Sequence, residues 1–313
     1  MSRLHQSSRS GPAADHGKGP VVIAPELLRG WPLPHPDAGG DKEERGRVLV
    51  IGGSAEMPGA AVLAGMAALR AGAGKLRLAV PRSVAQGVAL ALPEGRVFAL
   101  PEAGNGAVDF SAADELVEHA NQVQCVLIGP GMLDEPATAR LVQAVLPRLD
   151  GPTVVLDATA LACLGLDPQI LHCLDGKVII TPHAGEMASC LKAEKAAIAG
   201  DPVGTARQAA AFFRSVVALK GAETVIAAPD GSCYLNRAGN IGLATTGSGD
   251  ALAGIIAGLA GRGTEPLHAT AWGVYLHARA GDRLARRIGP LGYLARELLL
   301  EIPQVMVKVE RRR

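Results

Sequence analysis

Aromatic side chains are scarce in this chain: four Phe, three Tyr and two Trp in 313 residues. A surface that stacks bases on rings is therefore not expected. The formal net charge of +1 supplies no basic face for a phosphate backbone either, so nucleic acid is not expected as a partner. Apolar runs are frequent but short, and none reaches the ~20 residues of a membrane span. The N-terminus is polar where a signal peptide would be apolar, so no membrane contact is expected and the cytoplasm is the expected compartment. Cys125, Cys163, Cys173, Cys190 and Cys233 show no C-x-x-C spacing, and several sit in apolar runs as small hydrophobes would. They imply a reducing compartment. The first glycine-rich loop lacks G-x-G-x-x-G, which weakens a Rossmann reading.

What is present is Ala, Gly, Val and Leu, within a hydrophobic share of 48%. That composition suits closely packed helices on a parallel sheet, in an α/β chain long enough for a sizeable core. Residues 1–19 are rich in Ser, Arg, Gly and His and cannot repay the entropy of ordering, so they are expected to form a disordered tail. Residues 20–46 combine short apolar pieces with a Pro/Gly-rich run and are expected as an arm on the surface. The expected organisation is thus 1–45 as tail and arm and 46–313 as one catalytic domain, with no internal repeat.

The domain opens with the buried-strand run Arg47-Val-Leu-Val-Ile51, then Gly52-Gly-Ser54 and an Ala-rich helix entered at Met57-Pro-Gly-Ala60. Strands are predicted over 76–80, 97–100, 125–128, 153–156, 178–180 and 216–219, with a hairpin turning at Asp230-Gly231. Helices are predicted over 114–120, 270–285 and 294–300. Five strand ends carry glycine or polar motifs, where ligands of open α/β sheets bind. Packing alone does not require that.

The chain is organised around Leu243-Ala-Thr-Thr-Gly-Ser-Gly-Asp250, a polar turn that leads into the apolar helix running to Gly258. A helix starting near Asp250 leaves its first amides unpaired, and Gly247 and Gly249 let a ligand approach the backbone. That suits phosphate. Asp250, next to such a hole, is better placed to take a proton from a substrate hydroxyl than to touch phosphate. The plain alternative is a loop entering a core helix, with Gly254 and Gly258 present for packing.

The other motifs also read two ways. Lys220 meets phosphate, or is a strand-end lysine. His183 and Glu186 are ligand-facing, or a structural histidine and a helix-start carboxylate. Asp157 holds a metal through water, or caps a turn.

Taken together, Gly53-Ser54, Met57-Pro-Gly-Ala-Ala61, Ala67-Ala-Leu-Arg-Ala-Gly-Ala-Gly74, Ile128-Gly-Pro-Gly131, Leu156-Asp-Ala158, Thr181-Pro-His-Ala-Gly-Glu186, Leu219-Lys-Gly221 and Gly247-Ser-Gly-Asp250 closely resemble the ADP/ATP-dependent NAD(P)H-hydrate dehydratases. The match runs from about Gly46 to the C-terminus. The resemblance implies a ribokinase-like fold with a mostly parallel sheet and helices on both faces. It implies a lyase that repairs hydrated NADH or NADPH while consuming ADP or ATP, bacterial members generally using ADP. It also implies Mg2+, with no dedicated protein cage visible.

By the same resemblance Ala60, Gly131, His183 and Asp250 contact the hydrated dinucleotide. Lys220, Gly221, Ala222, Glu223 and Thr224, with Gly247, Ser248 and Gly249, bind the adenine nucleotide. Ser248 stands where the family usually has Thr, and Glu43 and Arg45 replace the usual glycine and aromatic residue of a lysine-glycine motif at Lys42 and Gly46. The family's often fused epimerase domain is not seen, so the expectation is a stand-alone dehydratase with the epimerase on a separate chain. A homo-oligomer is expected, with a tetramer as its form. The competing readings are a small-alcohol kinase of the same fold, for hydroxyethylthiazole or a hydroxymethylpyrimidine, and a non-catalytic nucleotide sensor.

Overall fold

The structure, a computed structural model, describes residues 19–35 and 45–311. The tail expected over 1–19 lies almost wholly outside the described residues, as do Lys42 and Glu43 of the lysine-glycine motif and the latter part of the Pro/Gly run.

Among the described residues ten strands form one sheet: β1 Val21–Val22, β2 Arg47–Ile51, β3 Lys75–Pro81, β4 Gly95–Leu100, β5 Cys125–Ile128, β6 Thr153–Leu156, β7 Val178–Ile180, β8 Val216–Leu219, β9 Thr224–Ala227 and β10 Cys233–Asn236. Their order is β1-β10-β9-β8-β7-β6-β5-β2-β3-β4. β9 runs against its neighbours and every other pairing is parallel.

The first half of the chain supplies helices α1 Pro25–Arg29, α2 Pro58–Arg70, α3 Arg82–Ala91, α4 Ala113–Ala120, α5 Glu135–Val145 and α6 Ala162–Leu166. The second half adds α7 Ala184–Leu191, α8 Lys195–Gly200, α9 Pro202–Phe213, α10 Ser248–Gly261, α11 Pro266–Arg287 and α12 Ala295–Glu310. Because both sheet faces are covered, the central strands read as unbroken apolar runs. Val48 and Val50 of β2 enter one core with Leu252, Trp272 and Leu298, whereas Leu49 and Ile51 enter the other with Leu141, Met187 and Phe213. α12 continues well past the predicted helix over 294–300, through Pro303, because Ile302, Val305, Met306 and Val309 keep one face buried.

The segment expected as a surface arm is built more deeply into the domain. β1 pairs with β10, and Ile23, Leu28 and Leu33 join the core. The anchoring comes from the short apolar pieces, while Pro32 and Pro34 at the start of the Pro/Gly run are exposed.

After β2 the chain moves out to β3 and β4, then returns to place β5 on β2's other side. The switch point of the sheet therefore falls between the carboxyl ends of β2 and β5, where a crevice opens in such folds.

Candidate active site

At that switch point the loops after β2 and β5 are bound together. The Gly53 amide donates to the Pro130 carbonyl at 2.7 Å, and the Gly52 amide to Ala79 at 3.1 Å. Gly131 adopts φ 72°, and a Cβ there would lie 2.5 Å from the Met57 carbonyl and 2.8 Å from the Ala60 Cβ. Ala60 and Gly131, far apart in sequence, thus share one wall at the start of α2.

α10 begins beside α2. Its N-cap is Gly247 at φ 84°, a left-handed conformation that most side chains resist. A Cβ on Gly247 would meet the Leu63 side chain of α2 at 2.7 Å. The Ser248 amide donates to Thr245 and the Ala251 amide to Gly247, but the Gly249 and Asp250 amides have no partner among the described residues. Two adjacent donors are thereby left at the positive end of a 14-residue helix, a site suited to an anion.

A chain of charges crosses the adjoining strand ends. Asp157, after β6, is 2% exposed, and its Oδ1 accepts hydrogen bonds from the Thr181 hydroxyl at 2.7 Å and from Lys220 Nζ at 2.9 Å. Lys220 Nζ also lies 3.7 Å from Glu186 Oε2. Burial alone would depress Lys220, but Asp157, Glu186 and Asp250 outweigh it and hold the ammonium above its ordinary value. Burial, joined by the negative charge of Asp157, pushes Asp250 up to about 6 against the pull of Lys220. That is a carboxyl suited to exchanging protons near neutrality.

His183 caps α7: its Nδ1 accepts from the Gly185 and Glu186 amides at 3.0 and 3.1 Å, and Glu186 accepts from the His183 amide at 2.7 Å. Both structural readings of this motif therefore hold. With Nδ1 accepting, the ring's donor is Nε2.

A cavity of about 730 Å³ opens between the ends of β8 to β10, α10 and α11, a size suited to a nucleotide. Its wall brings His183, expected on the dinucleotide, together with Lys220, Gly221, Ala222, Thr224, Ser248 and Gly249, expected on the adenine nucleotide. Ala60, Gly131, Gly247 and Asp250 are not in this wall. Glu223 is not either; it pairs with Arg237 at 3.1 Å, more than half of both side chains being exposed.

Sequence reasoning missed Asn240, Leu243, Leu252, Val274, His277 and Ala278, which also line the cavity. Leu243, Leu252, Val274 and Ala278 add apolar wall suited to a purine to the polar groups at Lys220 and Gly249. Asn240 accepts from the Tyr293 hydroxyl at 2.9 Å, which fixes the loop that closes the cavity. Leu243 and Leu252 fall within the signature stretch with nothing to mark them as lining, and the other four belong to no local motif. Burial places them, and nothing short of the fold signals it.

A sequence profile described as NAD(P)H-hydrate dehydratase matches residues 48–304. The chain is 47% identical over 297 residues to the ADP-dependent (S)-NAD(P)H-hydrate dehydratase of Xanthomonas campestris pv. campestris, covering 94% of this chain and 99% of that one. It is 46% identical to the bifunctional NAD(P)H-hydrate repair enzyme Nnr of Moorella thermoacetica over 89% of its own length, and spans 52% of that longer protein. The Bacillus subtilis ADP/ATP-dependent NAD(P)H-hydrate dehydratase co-crystallized with ATP/Mg2+ superposes with a TM-score of 0.78 at 32% identity, covering 93% of this chain and 99% of that one. The architecture is the ribokinase-like α/β fold implied by the motifs. The glycine loops at the switch point, the signature turn of α10 and these likenesses agree, and the chain belongs to the NAD(P)H-hydrate dehydratase family.

Proposed function

We propose that this chain uses ADP or ATP to dehydrate the (S)-form of hydrated NADH or NADPH, returning the reduced dinucleotide together with AMP or ADP and phosphate. The observation that carries the reading is the first turn of α10, where two unspent amides adjoin a carboxyl pushed up to about 6, next to a nucleotide-sized cavity. Hydroxide leaves poorly at neutral pH, whereas a phosphate ester departs once the ring nitrogen pushes.

Asp250 takes the proton from the hydroxyl of the hydrate as its oxygen bonds to the terminal phosphorus of the nucleotide, and AMP or ADP leaves. The amides of Gly249 and Asp250 hold the negative charge of the transferred group. Loss of phosphate and of a neighbouring ring proton then restores the double bond. Ala60 and Gly131 hold the dinucleotide on the β2–β5 side of Asp250, and His183, at the edge of the cavity, meets it from the other side. Lys220, Gly221, Ala222 and Thr224, with Ser248 and Gly249 on the turn that Gly247 caps, hold the adenine nucleotide, and Glu223, outside the wall, stays at its rim.

Magnesium fits this arrangement. No group of three or more His, Cys, Asp or Glu side chains suited to a metal occurs among the described residues. Magnesium, however, keeps most of its waters and takes one or two carboxylates beside substrate phosphates. Asp157, through its second oxygen, and Glu186 are the carboxylates that would hold it, and the ion would offset phosphate charge.

The reading extends to a cytoplasmic homo-oligomer, with a tetramer as its form. Ile241, Ile288, Leu291 and Leu294 are exposed apolar side chains around the loop packed on Gly242, and they support self-association. Sedimentation tests that part.

For the activity, the protein is mixed with hydrated NADH and either nucleotide, and the return of reduced-nicotinamide absorbance is followed together with phosphate release. A stable phosphoester in place of free phosphate would identify a small-alcohol kinase instead.

A further inference from the structure

One group in the cavity wall has no task in the reading above. His277, in the middle of α11, is 8% exposed, and its Nε2 lies 3.0 Å from the hydroxyl of Ser248, itself 5% exposed. The ring borders the cavity. Ser248 is the first residue of α10 and directly precedes the two free amides of Gly249 and Asp250. Its own amide is engaged by Thr245, and its side chain carries a polar contact from that turn across to α11.

We propose that His277 is a positioning residue for the nucleotide: by holding the Ser248 hydroxyl it anchors the first turn of α10 on α11, and so sets the direction in which the Gly249 and Asp250 amides meet phosphate. The inference rests on the cavity being the nucleotide site.

Three features support it. Gly247 and Gly249 flank Ser248 and stiffen the turn little, so an anchor from another element is needed to fix it. Amides oriented before the ligand arrives lose less freedom on binding. The ring also stays uncharged: burial drives it down to about 4, a hydrogen bond with the Ser248 backbone opposing and the Lys220 charge adding. A neutral imidazole keeps one donor and one acceptor, whichever way the Ser248 hydroxyl is turned.

The test is calorimetric titration of the full chain with ADP, in the absence of hydrate, for the parent and for His277→Leu, His277→Gln, Ser248→Ala and the double variant His277→Leu/Ser248→Ala. Loss of one well-formed hydrogen bond is expected to raise the dissociation constant ~10-fold in His277→Leu, and by a similar factor in Ser248→Ala. The double variant is expected to bind no more weakly than the worse single variant, because the pair acts as a unit. A Gln amide reaches about as far as Nε2, so His277→Gln is expected to recover most of the loss. In turnover the loss appears in KM for ADP and not in kcat.

A His277→Leu protein with a lower melting temperature and parental ADP affinity would overturn the proposal, since the ring would then serve only the fold. A Ser248→Ala protein with parental affinity beside a weakened His277→Leu would overturn it too, because His277 would then not act through Ser248. If His277→Leu does not fold, Ser248→Ala and His277→Gln decide. A parent that binds no ADP fails at the earlier step, the assignment of the cavity.

Discussion

Lys220 Nζ lies 2.9 Å from Asp157 Oδ1, and the two partners are unequally buried, with side chains 20% and 2% exposed. The lysine expected to meet phosphate is thus held by a carboxylate beneath it. Removing one partner of a buried pair costs ~3–5 kcal/mol. Lys220→Met strands a carboxylate whose remaining bond is to Thr181. Asp157→Asn leaves a lysine that keeps Glu186 at 3.7 Å and some water. In urea unfolding at pH 7, Lys220→Met is expected to be the more destabilised of the two. The reverse order would mean that the burial of the stranded charge does not set the cost.

The central strands could be read from sequence because burial on both faces leaves runs such as Cys125-Val-Leu-Ile128 with no polar interruption. The strand-end motifs were legible because glycine and polar residues recur at five strand ends at once, whereas the close approaches at Gly129 and Gly131 and the cap at His183 show only in the fold. The two-residue β1 carries no periodicity, so its pairing with β10 could not be read. The start of α10 falls at Ser248, slightly ahead of the expected Asp250, because Gly247 takes the left-handed angle and caps the helix itself. The partners of Lys220 and Ser248 lie 63 and 29 residues away, in Asp157 and His277, so no local pattern could reveal them.

Residues 20–33 are expected to be part of the folding unit. Leu28 is fully buried, and the Trp272 indole donates to the Trp31 carbonyl at 2.9 Å. Leu28→Ala is expected to cost ~2–5 kcal/mol by chemical denaturation. A chain starting at residue 46 should melt well below the parent, whereas one starting at residue 20 should melt with it. Equal melting of all three chains would return the segment to the role of a surface arm.

The glycines of α10 divide by function. A Cβ on Gly258 would collide with the Ala68 carbonyl of α2, while one on Gly249 would lie 3.8 Å from Lys220 Nζ, an ordinary contact. Gly258→Ala is therefore expected to destabilise by ~1–3 kcal/mol or more with ADP affinity kept in the folded fraction. Gly249→Ala should change stability by less than ~1 kcal/mol. Gly249→Val sends methyls toward the ion pair and the phosphate, and should raise the ADP dissociation constant at least ~10-fold by calorimetry. If Gly249→Val binds ADP as the parent does yet unfolds readily, that glycine is a folding device and the phosphate site lies nearer Lys220.

Asp250 should make the protein less stable in return for reactivity. Its carboxyl is raised from 3.8 to about 6, with burial the main cause and Asp157 the second. Between those values the folded chain binds more protons than the unfolded one, so the Asp250 contribution makes stability fall as pH rises from about 4 to about 6 and stay level above. At ~1.4 kcal/mol per pH unit, the ionised carboxylate costs the folded state about 2–3 kcal/mol at pH 7. Asp250→Asn removes that cost while keeping the shape, so the variant should be the more stable protein at pH 7, with the gap closing toward pH 4. The same titration governs catalysis. A base must be ionised to act, so kcat/KM of the parent should fall below about pH 6. Asp250→Asn should lower turnover ~10²–10⁴-fold while ADP affinity is largely kept. Stability measured against pH and turnover measured against pH are independent readouts of one carboxyl. An Asn variant that turns over like the parent ends the general-base assignment, and one that is less stable at pH 7 than the parent shows that the ionised carboxylate is satisfied in the fold and not strained by it.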